Sequence, residues 1–381
     1  MLAFGLGACL GSAPRSPNAV DANPALFNRE TYRYVLALRA RNEAERYSVM
    51  VLQANDSRLV PILHRGNPHL KIFVYQDIAV ARATDLQGLT VCTLLRPDLA
   101  AAPDWFLKDL SGRRITYGDN YLMDVGSTGY QQACVAHAIA LAKRLGFDGI
   151  FLDGVGAALD YELPPTARPR SLAYPTIASW QTAMYSMLSY AGQAMHAHGL
   201  LVIGNIGGAV LTPGLWQRWN APLDGAEEES WTDGGAGLAQ QIPSWPEKLG
   251  NVAWSEAHNK YAVLHSYNPT EAGNTYGLAS MLLVAGGHSS YSTSNTSPIS
   301  YEAWYPEYDA ARRLGVPKGA YIRRHNGVYE RVFTNGVVLV NPSTDVVPRF
   351  SLGGGRFSGS GPGDVSAVSM GATSGLILTN A

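Results

Sequence analysis

Asp153 closes the run Gly149-Ile150-Phe151-Leu152-Asp153-Gly154, an apolar stretch that stops on an acid and a glycine. A strand buried on both faces is a continuous apolar run. In a parallel α/β sheet, the position past its carboxyl end opens into the crevice where ligands bind. Gly154 allows a sharp turn there. Asp153 is therefore a candidate catalytic carboxylate; the alternative is a cap on the following loop. The same placement recurs along the chain. Asp77 follows the strand-like run Lys71–Tyr75, Asp124 follows Tyr121–Met123, Asn205 follows Leu200–Ile203, and His265 follows Lys260–Leu264. Glu227-Glu228-Glu229 follows Leu223–Ala226. One acid at a strand end is weak evidence, but several brought to one ring are hard to explain as separate caps. In a strand, Glu227 and Glu229 face one way and Glu228 the other. Which side is the mouth stays open, and a solvated acidic loop is the alternative. Trp231, Trp254, Tyr117, Tyr121 and Tyr291 are expected to flank the ring, with faces suited to sugars. No His, Cys or acid run has metal-ligand spacing. An acidic, aromatic cleft of this kind fits glycosidic-bond cleavage, which needs one carboxyl group held protonated and another ionised as nucleophile or base. Asp153 and either Glu228 or Glu229 are the catalytic candidates. Asp77, Asp124, Asn205, Trp231, His265 and Tyr291 are the candidate substrate-binding residues.

These residues need a frame that brings strand ends together. Eight strand-like runs alternate with helices or long loops over about 270 residues, which predicts a (β/α)8 TIM barrel. A helix is expected from Ser127 or Thr128, with apolar face Tyr130, Cys134, Ala138, Leu141 and Leu145, and another over Ile177–His198. Tyr121–Met123 is read as a barrel strand. An open doubly wound sheet is the runner-up, but no Gly-rich phosphate loop follows the first strand, so no nucleotide cofactor is expected. From Gly319 the texture changes to short strands, among them a hairpin turning at Asn335-Gly336. The expected organisation is a leader over 1–26, a catalytic barrel over 27–318 and a small all-β, sandwich-like domain over 319–381.

Hydrophobic residues make up 46% of the 381, enough for a large core. The formal net charge is -1 with no basic run, which argues against nucleic acid as a partner. Met1–Leu10 is apolar without a charged start, so it reads as a clipped signal peptide, and Leu6-Gly7-Ala8-Cys9 is similar to a bacterial lipoprotein box. Export to the cell envelope, with a lipid anchor at Cys9, is one expectation; a disordered tail is the other. Cys92 and Cys134 match no metal motif. They read as two buried thiols in preference to a disulfide.

The ordered set of motifs resembles a group of bacterial glycosyl hydrolases with barrels akin to α-amylase and α-galactosidase-like enzymes. The resemblance rests on Val74-Tyr75-Gln76-Asp77, Pro103-Asp104-Trp105-Phe106-Leu107, Met123-Asp124-Val125-Gly126, Phe147–Asp153, Gly204-Asn205-Ile206-Gly207, Gly225–Glu229 and Tyr329–Gly336, and covers about residues 45–381. It implies a barrel with a C-terminal β-domain, Asp153 at the end of the fourth strand as nucleophile of a retaining mechanism, and an acid/base from the glutamate cluster. Related sequences follow a Glu-Glu pair with an aromatic residue. Here Ser230 stands before Trp231, so the choice between Glu228 and Glu229 stays open. A barrel that binds polysaccharide without cleaving it, and a transglycosylase, are the competing readings.

Overall fold

The strand that ends at Asp153 is flanked on both sides by parallel neighbours, as its unbroken apolar run requires. The computed structural model describes residues 25–27, 44–82, 89–92, 103–117, 120–159, 171–232, 245–294, 304–359 and 363–381. Its main sheet has eight parallel strands in chain order: β1 (Ala25–Phe27), β2 (Val49–Leu52), β3 (Lys71–Asp77), β4 (Gly149–Asp153), β5 (Leu201–Asn205), β6 (Gly225–Glu229), β7 (Tyr261–Ser266) and β8 (Ser289–Thr293). β1 and β8 lie against each other, so the sheet curls into a (β/α)8 barrel. Val49, Val51, Phe73, Tyr75, Phe151, Ile203 and Val263 fill its interior from alternate positions.

The outer layer holds α1 (Val60–Gly66), α2 (Thr128–Leu145), α3 (Ile177–Ala197), α4 (Leu215–Asn220), α5 (Trp245–Ala257), α6 (Glu271–Leu282) and α7 (Pro306–Arg313). The predicted face of α2 is the buried one: Tyr130, Cys134, Ala138 and Leu141 all lie in the core. α3 starts on a capping box between Thr176 and Ser179. α5 runs unbroken from Trp245 to Ala257. Pro246 sits in its first turn, where the missing N–H costs nothing.

The barrel strands differ from the sequence reading in two places. Ala25–Phe27 pairs parallel with β2 and straddles the expected leader boundary at residue 26. The rest of that leader, with Cys9, lies outside the described residues. Asn120–Leu122 is not a barrel strand. It joins Val80–Arg82 and Thr116–Tyr117 in a small antiparallel sheet inserted between β3 and α2. A three-residue apolar run carries no record of its partner, so period alone could not separate the two placements. The insertion folds back on α2, and Cys92 and Cys134 form a disulfide there, with Cα atoms 4.8 Å apart. They are not the two free thiols expected.

After the barrel come β9 (Ile322–Arg323), β10 (Tyr329–Phe333), β11 (Gly336–Asn341), β12 (Val347–Ser351), β13 (Phe357–Ser358), β14 (Ala367–Met370) and β15 (Ser374–Asn380). They form a five-stranded sheet, β9-β10-β11-β15-β13, and the pair β12-β14. Val337, Leu339, Phe350, Val368, Met370 and Leu378 pack between them. The hairpin turns at Thr334-Asn335, because Phe333 pairs with Gly336 inside the ladder. Gly336 is needed for close approach rather than for the turn: a Cβ there would meet the Leu378 carbonyl oxygen at 2.2 Å. Arg331 ties this domain to the barrel by donating to the carbonyls of Leu282 and Ala285 at 2.9 and 2.7 Å.

Candidate active site

Four neighbouring strands, β3 to β6, end in Asp77, Asp153, Asn205 and Glu229, all at the carboxyl end of the barrel. Asp77 and Asp153 are partners in register. Gly154 follows with φ +76, and a Cβ there would meet Asp77 Oδ1 at 2.6 Å and the Ala79 Cβ at 2.7 Å. The glycine lets β4 turn away while the two acids stay side by side.

Asp153 is surrounded by donors. The Tyr75 hydroxyl donates to Oδ2 at 2.5 Å. The Asn205 amide and the Gly154 backbone N–H donate to Oδ1 at 3.1 and 2.9 Å. The same Asn205 Nδ2 donates to Glu229 Oε2 at 2.8 Å, and the Tyr267 hydroxyl donates to Glu229 Oε1. Two oxygens that share one nitrogen at these distances lie within about 6 Å of each other, close to the carboxyl spacing of a retaining pair. Asn205 Oδ1 is buried and has no hydrogen-bond partner among the described residues, which leaves an acceptor at the centre of the pair.

Asp77, beside Asp153, is buried. Burial pushes its carboxyl up to about 7, and the charge of Asp153 adds to the rise. Arg82 at 3.6 Å and the backbone N–H of Ala79 at 3.0 Å pull the other way. Desolvation dominates because the opposing guanidinium is partly solvated.

The glutamate triplet divides as strand alternation requires. Glu227 and Glu229 belong to the inner face, with Glu227 one layer below the mouth and in register with Asn205. Glu228 points outward and pairs with Lys248 of α5 at 2.9 Å. Glu228 thus faces away from Asp153, and Glu229 is the glutamate that shares the Asn205 amide with it.

Three other candidates are placed differently from expectation, and a fourth, His265, is in the ring but has its ring nitrogens engaged. Asp124 lies beyond the inserted sheet. It accepts from the Gly126 N–H at 3.1 Å and from the Tyr174 hydroxyl, in the turn that leads into α2. That is the capping role. Trp231 is buried and donates from Nε1 to the Gly277 carbonyl at 2.9 Å, so no ring face is open to a sugar. Ser230 takes φ +71, which breaks the in–out alternation and turns Trp231 toward α6. Tyr291 is fully buried on the outer side of β8, packed on Gly277 of the same helix. His265 stands beside Glu229 in the ring, but Ser292 and Ser294 meet its two ring nitrogens at 3.0 and 2.9 Å. It serves as a wall for Tyr267, whose ring meets it edge-on at 4.9 Å. Of the other expected aromatics, Trp254 stacks on His258 of the same helical turn, and Tyr121 packs edge-on against Phe106.

The sequence reading missed Tyr75 and Tyr267 as site residues. Tyr75 lies two positions before Asp77 and shares its face of β3, and Tyr267 lies two positions after His265, just past the end of β7. That spacing was the available signal.

The profile of hypothetical glycosyl hydrolase family 15 matches residues 64–337. The chain belongs to this family. No curated protein matches it. Among solved structures, a noncanonic maltogenic α-amylase, AmyB from Thermotoga neapolitana, is 11% identical with a TM-score of 0.55, over 94% of this chain and 98% of that one. An Anoxybacillus α-amylase is 10% identical with a TM-score of 0.51, over 94% and 98%. Ttha1563 from Thermus thermophilus is 13% identical with a TM-score of 0.50, over 100% and 96%. At these identities the likeness concerns the fold alone.

Proposed function

We propose that this protein hydrolyses a glycosidic bond in an oligo- or polysaccharide by a retaining mechanism. Asp153 is the nucleophile and Glu229 the acid/base. The observation that carries this reading is the single amide of Asn205, shared by the two carboxyl groups at 3.1 and 2.8 Å. An inverting pair needs room for a water and stands about 6.5–9.5 Å apart. In the first step an Asp153 oxygen attacks the anomeric carbon while Glu229 gives its proton to the departing glycosidic oxygen. In the second, Glu229 takes a proton from water, which attacks the same carbon and releases Asp153. Tyr75, Asn205 and Gly154 orient the nucleophile by donating hydrogen bonds to it. Asp77, which holds a proton up to about pH 7, adds little negative charge beside it below that pH.

The Cys92–Cys134 disulfide supports the export reading, since such bonds persist in oxidising compartments. Fractionation that finds the protein only in the cytoplasm refutes export.

The test of function is a glycan panel incubated with the wild type, Asp153→Ala and Glu229→Gln, with products separated by chromatography. The expected result is cleavage by the wild type with the anomeric configuration kept, and none by Asp153→Ala although it stays folded. Glu229→Gln should keep kcat/KM, which reports the first step, on substrates whose leaving group needs no proton, while its turnover falls for want of the base and is restored by azide in place of water. Retention of a glycan without cleavage, or near-normal turnover by Asp153→Ala, refutes the assignment.

A further inference from the structure

One buried charge pair lies behind the site and takes no part in the chemistry above. Glu228 and Lys248 meet at 2.9 Å, with 9% and 4% of their side chains exposed. Burial drives the Glu228 carboxyl up, and the Lys248 ammonium opposes the rise. A buried ion pair is weak evidence for stability, because apolar residues of similar volume often do as well. Lys248 has a second contact: its Nζ donates to the backbone carbonyl of Ser230. Ser230 follows Glu229 directly, is 4% exposed, and holds φ +71. That left-handed conformation disfavours any residue with a Cβ, so the surroundings must impose it. The next residue is pinned too, by the Trp231 N–H on the His265 carbonyl at 2.8 Å.

We infer that Lys248, itself anchored by Glu228, is a positioning residue for Glu229. By holding the Ser230 carbonyl it fixes the reversed backbone that keeps Glu229 turned toward Asn205 and Tyr267 while Trp231 turns out to α6. Without that hold, Ser230 relaxes toward negative φ and the Glu229 carboxyl swings away from Asn205 and Tyr267. The inference rests on Glu229 being the proton donor and explains what keeps it aimed.

The experiment replaces the pair by Glu228→Leu with Lys248→Met, which removes both charges at similar volume. Rates are measured on two glycosides of the sugar that the wild type releases: a dinitrophenyl glycoside, whose leaving group needs no proton, and an alkyl glycoside, whose leaving group does. The expected result is a melting temperature near that of the wild type and a kcat on the alkyl glycoside lower by about 100-fold, at the low end of what a general acid contributes. KM on the alkyl glycoside, and kcat/KM on the dinitrophenyl glycoside, which reports only the step that needs no acid, should change little. Adding Ser230→Gly, which accepts positive φ without cost, should recover most of the lost rate. A merely structural pair moves both substrates together or neither, and either outcome overturns the inference. If the variant does not fold, Glu228→Gln with Lys248→Met replaces it. A crystal structure of the variant supplies an arm that needs no substrate. Glu229 still bonded to Asn205 and Tyr267, with Ser230 at positive φ, overturns the inference outright. If the wild type cleaves no glycan, the proposed function falls and this structural arm alone decides.

Discussion

Asp77→Asn turns the placement of Asp77 into a measurable pH dependence. The carboxyl titrates at about 7 in the folded protein against 3.8 for the ordinary group, chiefly through burial and then through the charge of Asp153. Between those two values the native state binds more protons than the unfolded chain, so the stability this group supplies is complete below about pH 4. It is lost as pH rises through 7. A rise of about 3 units at about 1.4 kcal/mol each makes the total swing about 4 kcal/mol. Asparagine carries no charge at any of these pH values. It can keep the hydrogen bond from the Ala79 N–H, and the Arg82 partner is partly solvated and loses little. The stability of Asp77→Asn relative to the wild type should therefore climb by about 1.4 kcal/mol per pH unit from pH 4 to 7 and then level off. Urea unfolding of both proteins at pH 5, 6, 7 and 8 measures this. In an Asp153→Asn background the climb should end at a lower pH, because the neighbouring charge is gone. A difference that stays flat across the range, or falls with pH, refutes the assignment of a burial-raised carboxyl.

Three further outcomes are expected. Asn205→Ala should lower kcat/KM by about 100-fold, mostly through kcat, because one amide holds both reacting carboxyl groups; unchanged steady-state kinetics would remove Asn205 from the site. Reducing the Cys92–Cys134 bond, which closes a separation of 42 residues, should cost up to about 4 kcal/mol of stability, and an unchanged denaturation midpoint under reductant contradicts this. Trp231→Ala should lower stability by about 3–5 kcal/mol with KM unchanged, as expected of a core residue; a raised KM in a stable protein would return Trp231 to the substrate.

The features legible in the sequence are those that depend on neighbours along the chain, and the illegible ones depend on partners far away. Lys71–Tyr75, Gly149–Leu152 and Leu200–Ile203 are long apolar runs with acid or amide ends, and each proved to be a barrel strand with its polar end at the mouth. The position of Asp153 on the fourth strand holds only because two errors offset each other. Ala25–Phe27 enters the barrel and Tyr121–Met123 leaves it. Both are short apolar segments whose partners no local period records. The choice between Glu228 and Glu229 has the same character. Alternation says that they face opposite ways, but the side is set by Lys248 on a helix that starts only at Trp245. Trp231 then shows where alternation itself stops. Two residues past Glu229, it should share the mouth with that acid. Instead Ser230, held at φ +71 by contacts from α5, reverses the chain and sends the indole to α6. The conformation of Ser230, which misled the reading of Trp231, thus depends on a lysine outside the strand. A reading built on local period therefore locates the acids of this barrel better than it locates the aromatic residues around them.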